Sequence, residues 1–183
     1  MENETVANLM QILGDVKQLR RKGWIVRNVE NPESDADHMY SMMMMAMLFT
    51  PKELNREKCL LLALVHDIGE IYAGDFTPFD DISLEDKAKR EYLAAKRVSE
   101  ELNNSEIYDL FDEFEKCETD EAKWVKMLDK LDCIVMSKYY DLKKMSPQNL
   151  FDEFVFNAEA KVKEISSQYQ DDVLQIIQCL KKI

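Results

Sequence analysis

The sequence has 183 residues, enough for one domain with a substantial hydrophobic core. Hydrophobic residues make up 46% of the chain, and only 4 glycines and 4 prolines occur, too few for an all-β protein with many tight turns. Asp and Glu number 36 against 24 Lys and Arg, which gives a net charge of −12. So acidic a chain is unsuited to binding long nucleic acid, because that requires a basic face.

The 4 cysteines are scattered and form no C-x-x-C pair, which indicates free thiols in a reducing compartment. The acidic N-terminus lacks the apolar core of a signal peptide, and no apolar run approaches the ~18 residues of a membrane span. The sequence therefore predicts a cytoplasmic or nucleocytoplasmic protein that does not interact with membranes.

The first predicted helix has apolar residues at spacings of three and four over residues 6–19. We expect it to end near Gly23, since glycine commonly follows a helix C-terminus. A connector over residues 24–32 comes next. Ser34, with Asp37 three residues later, then has the pattern of a capping box and predicts the start of the second helix.

The pair Thr50-Pro51 predicts another helix start, because threonine caps helices and proline fits their first turn. The apolar run 60–65 is rich in leucine and alanine, which favours a helix over a strand. A loop containing glycines and a proline follows to about residue 82.

The second half of the chain is typical of amphipathic helices separated by polar breaks. Helices are expected to begin at Ser83 and Thr119, with a further apolar stripe over 107–114. Ser146-Pro147 begins the last helix, which is expected to reach about residue 180. The sequence thus predicts a single all-α domain, a bundle of six or seven helices.

Both histidines of the chain lie where a metal site could form. His38 is near the start of one predicted helix, and His66, followed by Asp67, ends the apolar run. Metal ligation requires imidazoles and carboxylates that converge from different elements. The residues leave a fourth ligand open between Asp129 and Asp132, one turn apart in an apolar stretch where an unpaired carboxylate would be costly.

Mixed nitrogen and oxygen donors favour Mn, Fe, Co or Mg over a thiolate-type zinc centre. Glu70 could act as a general acid or base, or together with Asp75 it could hold a second, Mg-like ion. In the alternative interpretation, the histidines are ordinary hydrogen-bonded core residues and the carboxylates are solvated.

Basic residues are concentrated between Asp15 and Glu30, a stretch without any other acidic residue. Arginine can bind two phosphate oxygens at once, and the indole of Trp24 could stack on a base, which indicates an anionic, nucleotide-like substrate. A basic helix end that complements the helix dipole would explain residues 17–22 equally well. It would not explain Arg27, which lies beyond that helix.

Several stretches together carry a resemblance that a lone His-Asp pair would not. They are residues 23–29, 32–40, 62–67, 70, 74–75 and 122–129. In this order and spacing, the chain resembles the HD-domain superfamily of metal-dependent phosphohydrolases, and within it the 5′-deoxynucleotidase branch, the HD-domain-containing protein 2 and YfbR-like group. The resemblance covers about residues 10–160 and makes residues 1–183 a single HD domain with a C-terminal helix to about residue 180.

The resemblance implies a helical HD fold, usually dimeric, and a divalent metal. The implied ligands are His38, His66, Asp67 and Asp129. The family motif thus selects Asp129 over Asp132. Residues matching Glu70 and Asp75 are essential in this branch for catalysis or substrate binding, or for holding a second ion.

The resemblance also implies nucleotide contacts in the basic segment, through Trp24 and through Arg21 or Arg27. Some bacterial members have an arginine directly before the tryptophan, where this chain has glycine, so the choice of arginine stays open. Thr77 and Pro78 match a segment that lines the substrate pocket.

The implied reaction is hydrolysis of deoxyribonucleoside 5′-monophosphates to deoxynucleoside and phosphate by a metal-dependent homodimer. Two alternatives remain. One is another HD phosphohydrolase, acting on a signalling nucleotide or a nucleoside triphosphate. The other is a non-catalytic helical binding protein that uses the methionine-rich run 42–47 as an adaptable surface and binds no metal.

Overall fold

The computed structural model describes residues 3–183, and over these residues the regular secondary structure consists of α-helices and one isolated β-bridge. The helices are α1 Asn3–Gln18, α2 Lys22–Ile25, α3 Asp35–Phe49, α4 Arg56–Val65, α5 Glu70–Ala73, α6 Leu84–Glu101, α7 Ser105–Lys116, α8 Asp120–Lys143, α9 Phe151–Glu164 and α10 Gln170–Leu180. The predicted all-α fold is confirmed. Helices are more numerous than the six or seven predicted, because α2 and α5 are additional single turns and the predicted last helix is divided into α9 and α10.

Side-chain caps confirm three of the predicted helix starts. The Ser34 hydroxyl accepts the Asp37 backbone N–H while the Asp37 carboxylate accepts the Ser34 N–H, which completes the capping box of α3. Ser83 and Thr119 each accept a backbone N–H in the first turn of α6 and α8. Local sequence therefore fixes where these helices begin.

Three predicted boundaries were wrong. The first helix, α1, ends at Gln18 and not near Gly23. Thr50 ends α3, and the next helix begins at Arg56, because the Asn55 side chain provides the N-cap. The predicted last helix begins at Phe151 and is interrupted over residues 165–169. There the side-chain amide of Gln170 donates to backbone carbonyls at the end of α9, and α10 packs against α8 and α9.

The long helix α8 lies at the centre of the fold and contacts α3, α4, α7, α9 and α10. Its Trp124, Leu128 and Leu131 are completely buried, and burial of each such side chain stabilises the fold by about 1.5–3 kcal/mol. Helices α3, α4 and α8 also contact one another pairwise. This packing brings together the three helices that carry or precede the candidate metal ligands.

A smaller hydrophobic cluster joins the short helix α2 to the C-terminal half of α8. Trp24 and Val29 pack there with Tyr140 and Leu150. The cluster fixes the basic segment beside the candidate site. Over residues 3–183, every helix is too short or too polar to cross a bilayer.

Candidate metal centre and active site

The two histidines face each other in the protein interior. His38 lies in the first turn of α3, and His66 follows the last residue of α4. Both are buried, and their Nε2 atoms are 3.2 Å apart. Two residues that are far apart in sequence are therefore held at one point by the contact of α3 with α4.

The Nδ1 atoms of both rings are already hydrogen-bonded. His38 Nδ1 lies 2.6 Å from Asp132 Oδ2, and His66 Nδ1 lies 3.0 Å from the Ala63 carbonyl oxygen. These oxygens only accept, so each Nδ1 donates and each Nε2 can offer a lone pair. Two lone pairs at this separation require a proton or a cation between them, and such outer hydrogen bonds are typical of imidazoles that ligate metals. The donor set fits a divalent metal ion.

Two carboxylates converge on the same point. Asp67 Oδ2 lies 3.2 Å from His66 Nε2 and 3.6 Å from His38 Nε2. Asp129 Oδ1 lies 3.5 Å from His38 Nε2. The structure thus brings together the four side chains that the resemblance implies as ligands. Asp132, the alternative considered above, lies behind His38 and contacts the other ring nitrogen.

The charges of this cluster support one another. Although burial opposes ionisation, His66 and Arg21 hold the pKa of Asp67 well below its usual range. Burial and Arg21 disfavour a charged His38, yet hydrogen bonds with Asp129 and Asp132 raise its pKa to about 10. The carboxylates therefore create a site that attracts positive charge, carried either by a proton or by a metal ion.

Each of the two converging carboxylates is also held by a cation. Arg21 Nη1 donates to Asp67 Oδ2 at 2.6 Å, and Lys130 Nζ donates to Asp129 Oδ2 at 2.6 Å. Despite burial, Lys130 and His38 keep the pKa of Asp129 well below its usual range. Both carboxylates are therefore ionised at neutral pH, as metal ligands must be.

A second carboxylate cluster lies beside this centre. Asp35 at the start of α3, Glu70 at the start of α5 and Asp75 after Gly74 have oxygens within 4.8 Å of one another. Neither carboxylate oxygen of the fully buried Asp35 has a hydrogen-bond partner, and neither has Glu70 Oε2. Arg21 Nη1 lies 3.7 Å from Asp35 and 3.9 Å from Glu70.

Burial and crowding raise the pKa of two of these carboxyl groups. Burial, followed by the charge of Asp67, raises the pKa of Glu70 well above its usual range. Burial also raises the pKa of Asp35 to about 6. Asp35 and Glu70 therefore share one nearby guanidinium, and the cluster can take up a proton or a further cation. The turn that presents Asp75 uses Gly74 at a φ of 88°, a conformation that favours glycine.

Two cavities adjoin one another beside the metal centre, and His66, Asp67 and Asp129 line the first of them. The first, of about 250 Å³, extends between α6, α7 and α8. The second, of about 420 Å³, extends towards α9 and has Phe76, Phe79 and Phe154 in its walls. Both are lined by Arg21, Asp75, Phe76, Lys130 and Cys133. We call the space bounded by these five residues the junction.

Comparison with known proteins agrees with this arrangement. A family model described as the HD domain matches residues 13–170. The chain belongs to the HD-domain family. The match includes both histidines and all the carboxylates described above.

Curated relatives of this HD-domain protein cover most of its length. It is 40% identical over 152 residues to the 5′-deoxynucleotidase HDDC2 of Xenopus laevis, an alignment of 81% of this chain and 76% of the relative. It is 33% identical over 178 residues to the 5′-deoxynucleotidase hdd1 of Schizosaccharomyces pombe, with 93% and 89% covered. Among solved structures, the PH0347 protein of Pyrococcus horikoshii OT3 superposes with a TM-score of 0.79 at 30% identity, covering 96% of this chain and 99% of that one.

The two arginines left open by the sequence occupy different places in the HD-domain protein. Arg21 lies at the metal centre. Arg27 forms an ion pair with Glu153, donates to the Gly23 carbonyl at 2.9 Å, and lies near the rings of Phe79 and Phe154. It lines only the second cavity. Of the two arginines, only Arg21 therefore contacts the carboxylates of the candidate metal centre.

Trp24 lines the second cavity, but its ring is largely covered by protein. Its side chain packs against Tyr140 and Phe154 at centroid distances of 5.1 and 4.6 Å, and Nε1 donates to Glu33 Oε1 at 2.7 Å. The residue is only 3% exposed. Its packing therefore does not provide the open indole face that stacking on a base would require.

Thr77 and Pro78 also line the second cavity. The Thr77 hydroxyl and backbone N–H both donate to Asp80 Oδ2, at 2.8 and 2.7 Å. Asp80 in turn forms an ion pair with Lys22. These contacts tie the loop after α5 to the basic segment and shape one wall of the cavity.

Sequence reasoning missed two charged residues of the site, Asp35 and Lys130. Asp35 looks like an ordinary acidic residue in the first turn of a helix, where negative charge is favourable. Lys130 directly follows Asp129. A basic residue next to a candidate ligand in an apolar stretch was the signal that could have indicated it. Burial of the first and the ion pair of the second appear only in the folded chain.

Proposed function

We propose that this HD-domain protein hydrolyses deoxyribonucleoside 5′-monophosphates to deoxynucleosides and inorganic phosphate, using a divalent metal. The observation that carries the proposal is the convergence of two histidines and two carboxylates, three of which line the first cavity beside its junction with the second. The substrate class is supported by relatives at 40% and 33% identity that are named 5′-deoxynucleotidases.

In this proposal the metal ligands are His38, His66, Asp67 and Asp129. Two imidazoles and two carboxylates suit Mn, Co, Fe or Mg. When bound, the ion supplies Lewis acidity towards a phosphoryl oxygen and the attacking water. The Nδ1 hydrogen bonds of the histidines hold both rings in the orientation that ligation requires.

The surrounding residues bind the substrate and move protons. Arg21 directs its guanidinium towards the phosphate, and Glu70 accepts a proton from the attacking water. The water oxygen bonds to phosphorus, the bond between phosphorus and O5′ breaks, and the deoxynucleoside leaves with a proton on O5′. The raised pKa of Glu70 suits a group that takes up and returns a proton.

The second cavity receives the sugar and the base. Its volume of about 420 Å³ is in the usual range for small-molecule sites. Phe76, Phe79 and Phe154 provide an apolar wall, and Trp24 supports it from behind. Thr77, Pro78 and Arg27 complete the wall, with Arg27 further from the metal centre.

Purified protein should therefore release phosphate from dAMP when Mn, Co or Mg is supplied, and this release should stop when a chelator removes the metal. The rate with AMP tests the preference for deoxyribose over ribose. The products from dATP test the triphosphate alternative, because a triphosphate hydrolase would release pyrophosphate or tripolyphosphate. Absence of metal-dependent phosphate release from all four deoxynucleoside monophosphates would refute the proposed function.

We further propose that Glu70 and Asp75 hold a second ion, with Asp35 as the neighbouring third carboxylate. The variant Glu70→Gln should then bind one Mn ion per chain where the unchanged protein binds two, as measured by elemental analysis after dialysis. Its kcat should fall by at least about 100-fold, the size of a lost acid-base group. Glu85→Gln, in the exposed first turn of α6, is the control. Equal metal content in Glu70→Gln and the unchanged protein would instead favour a purely acid-base role.

We also propose that the protein is a homodimer that pairs through α1 and α3. No charged residue occurs between His38 and Pro51, yet this stretch exposes Tyr40, Met44 and Leu48 to solvent. The neighbouring helix α1 exposes Val6, Met10 and Leu13. A surface depleted in charge and rich in methionine and aromatic residues is typical of the centre of an interface.

Light scattering on the purified protein should give twice the 21.5 kDa chain mass. Replacing Tyr40 and Leu48 together by glutamate should yield monomers, because two charges would be buried in the interface. The control is Phe156→Glu, an exposed residue of α9. A monomeric unchanged protein would contradict the dimer, and a dimeric double variant would contradict this surface.

Two broader inferences accompany the proposal. Helices α9 and α10 pack on α8, which supports a single HD domain over residues 1–183. The four cysteines are free thiols, which fits a reducing, cytoplasmic setting.

A further inference from the structure

Lys130 lies at the junction of the two cavities, as Arg21 does, and pairs with the other converging carboxylate. Four residues on one face of α8 line the first cavity, and they are Lys126, Asp129, Lys130 and Cys133. Of these four, Lys130 and Cys133 also line the second cavity, as does Arg21. The Lys130 side chain is 27% exposed and contributes to the walls of both cavities.

Among the described residues, Lys130 and Arg21 are the two cations that line both cavities. Each donates a 2.6 Å hydrogen bond to a different proposed ligand carboxylate, Lys130 to Asp129 and Arg21 to Asp67. Two fixed cations at the junction are therefore held by different ligand carboxylates.

The other lysines of the first cavity are neutralised differently. Lys87 pairs with Glu91, and Lys126 pairs with Glu115, both at 2.9 Å. Those glutamates are not proposed metal ligands, so metal binding leaves both pairs intact. Lys130 instead shares its partner, Asp129, with the metal.

The charge of the loaded centre follows from these pairings. One divalent ion balances the two ionised carboxylates Asp67 and Asp129, and the histidine ligands are neutral when bound. The charge of Lys130 then remains, whereas Arg21 still has Asp35 and Glu70 nearby. A phosphate monoester carries a charge of about −1.5 to −2 at pH 7, which attracts both cations. The same groups that hold the ligand carboxylates in place thus become available to an anion once metal is bound.

We propose that Lys130 is a second phosphate-binding and catalytic residue, which donates from Nζ to a phosphoryl oxygen opposite Arg21. In this position it stabilises the negative charge that develops on the phosphoryl oxygens during hydrolysis. It also fixes the phosphoryl group at the junction, with the nucleoside directed into the second cavity. The inference rests on the proposed function for its substrate, although the phosphate contact itself does not require turnover.

The test compares Lys130→Gln and Lys130→Arg with the matched control Lys126→Gln, one turn earlier on the same face of α8. Inorganic phosphate is titrated into Mn-loaded protein by calorimetry, and Mn affinity is measured separately. Lys130→Gln should weaken phosphate binding by at least about 10-fold, while Mn affinity changes less than threefold. Lys130→Arg should restore most of the phosphate affinity, and Lys126→Gln should stay within twofold of the unchanged protein.

Steady-state kinetics with dAMP provide the second measurement. Lys130→Gln should lower kcat by about 10²–10³-fold, as loss of a transition-state hydrogen-bond donor does. A variant that loses Mn but, once reloaded, binds phosphate as tightly as the unchanged protein would overturn the proposal, because Lys130 would then only hold Asp129. If no deoxynucleotide is hydrolysed but phosphate binding still depends on Lys130, the phosphate site stands and the proposed function fails.

Discussion

Replacing Asp67 by alanine should reduce metal-dependent phosphate release from dAMP by at least about three orders of magnitude. Its Oδ2 atom lies near both histidine Nε2 atoms and accepts a hydrogen bond from Arg21. The substitution thus removes a proposed ligand and the anchor of the phosphate-orienting arginine together. Loss of the metal forfeits several kcal/mol of transition-state stabilisation, and each 1.36 kcal/mol corresponds to a tenfold change in rate.

Phosphate release and bound Mn should be measured on the same preparation, with circular dichroism to confirm that the helices persist. Asp81→Ala is the matched control, because Asp81 is an exposed acidic residue in the loop before α6. The ligand assignment would be wrong if Asp67→Ala kept its full Mn content and lost less than tenfold in kcat/KM.

Substitution of Arg21 should have the second largest effect and should distinguish it from Arg27. We expect Arg21→Ala to lower kcat/KM by about 10³-fold, since it removes a charged phosphate contact from the reacting centre. It also leaves Asp35 and Glu70 without their nearest cation, which should reduce the free energy of unfolding by about 3 kcal/mol. Arg21→Lys keeps the charge without the forked geometry and should be intermediate.

Arg27→Ala is the matched comparison. Its guanidinium already binds Glu153 and the Gly23 carbonyl, and it lies beside the second cavity. We therefore expect Arg27→Ala to raise KM by less than about 10-fold and to change kcat little. This is the result of losing a contact that stabilises the ground state and the transition state equally. Equal losses of kcat in the two alanine variants would contradict the assignment of the phosphate to Arg21.

Local chemistry in the sequence was sufficient for much of the secondary structure. Ser34, Ser83 and Thr119 each carry a side-chain oxygen that caps the first turn, and a cap acts through residues only three positions away. Thr50 misled for the same reason, since it has the chemistry of an N-cap. The N-cap of α4 is the side chain of Asn55, and the Thr50 hydroxyl instead donates to the Ala46 carbonyl of the preceding helix.

The candidate site was predictable in its residue types and, through the family motif, in most of its positions. The residues alone did not separate Asp129 from Asp132, because both project from one turn of a helix with apolar neighbours. In the folded chain one lies beside His38 Nε2 and the other beside Nδ1. The orientation of the His38 ring in the fold therefore decides which carboxylate lies on the side of the metal centre and which lies behind the ring.

By itself, the sequence determined that this protein is all-α, strongly acidic and supplied with two histidines and a few carboxylates suited to a metal. Those are properties of composition and of short-range spacing. Tertiary structure alone decided that Arg21 rather than Arg27 lies at the centre, that Trp24 is covered, and that Asp35 and Lys130 belong to the site. The reason is that α3, α4 and α8 pack together and the α2 segment docks beside them, and such long-range contacts set burial, charge pairing and cavity shape.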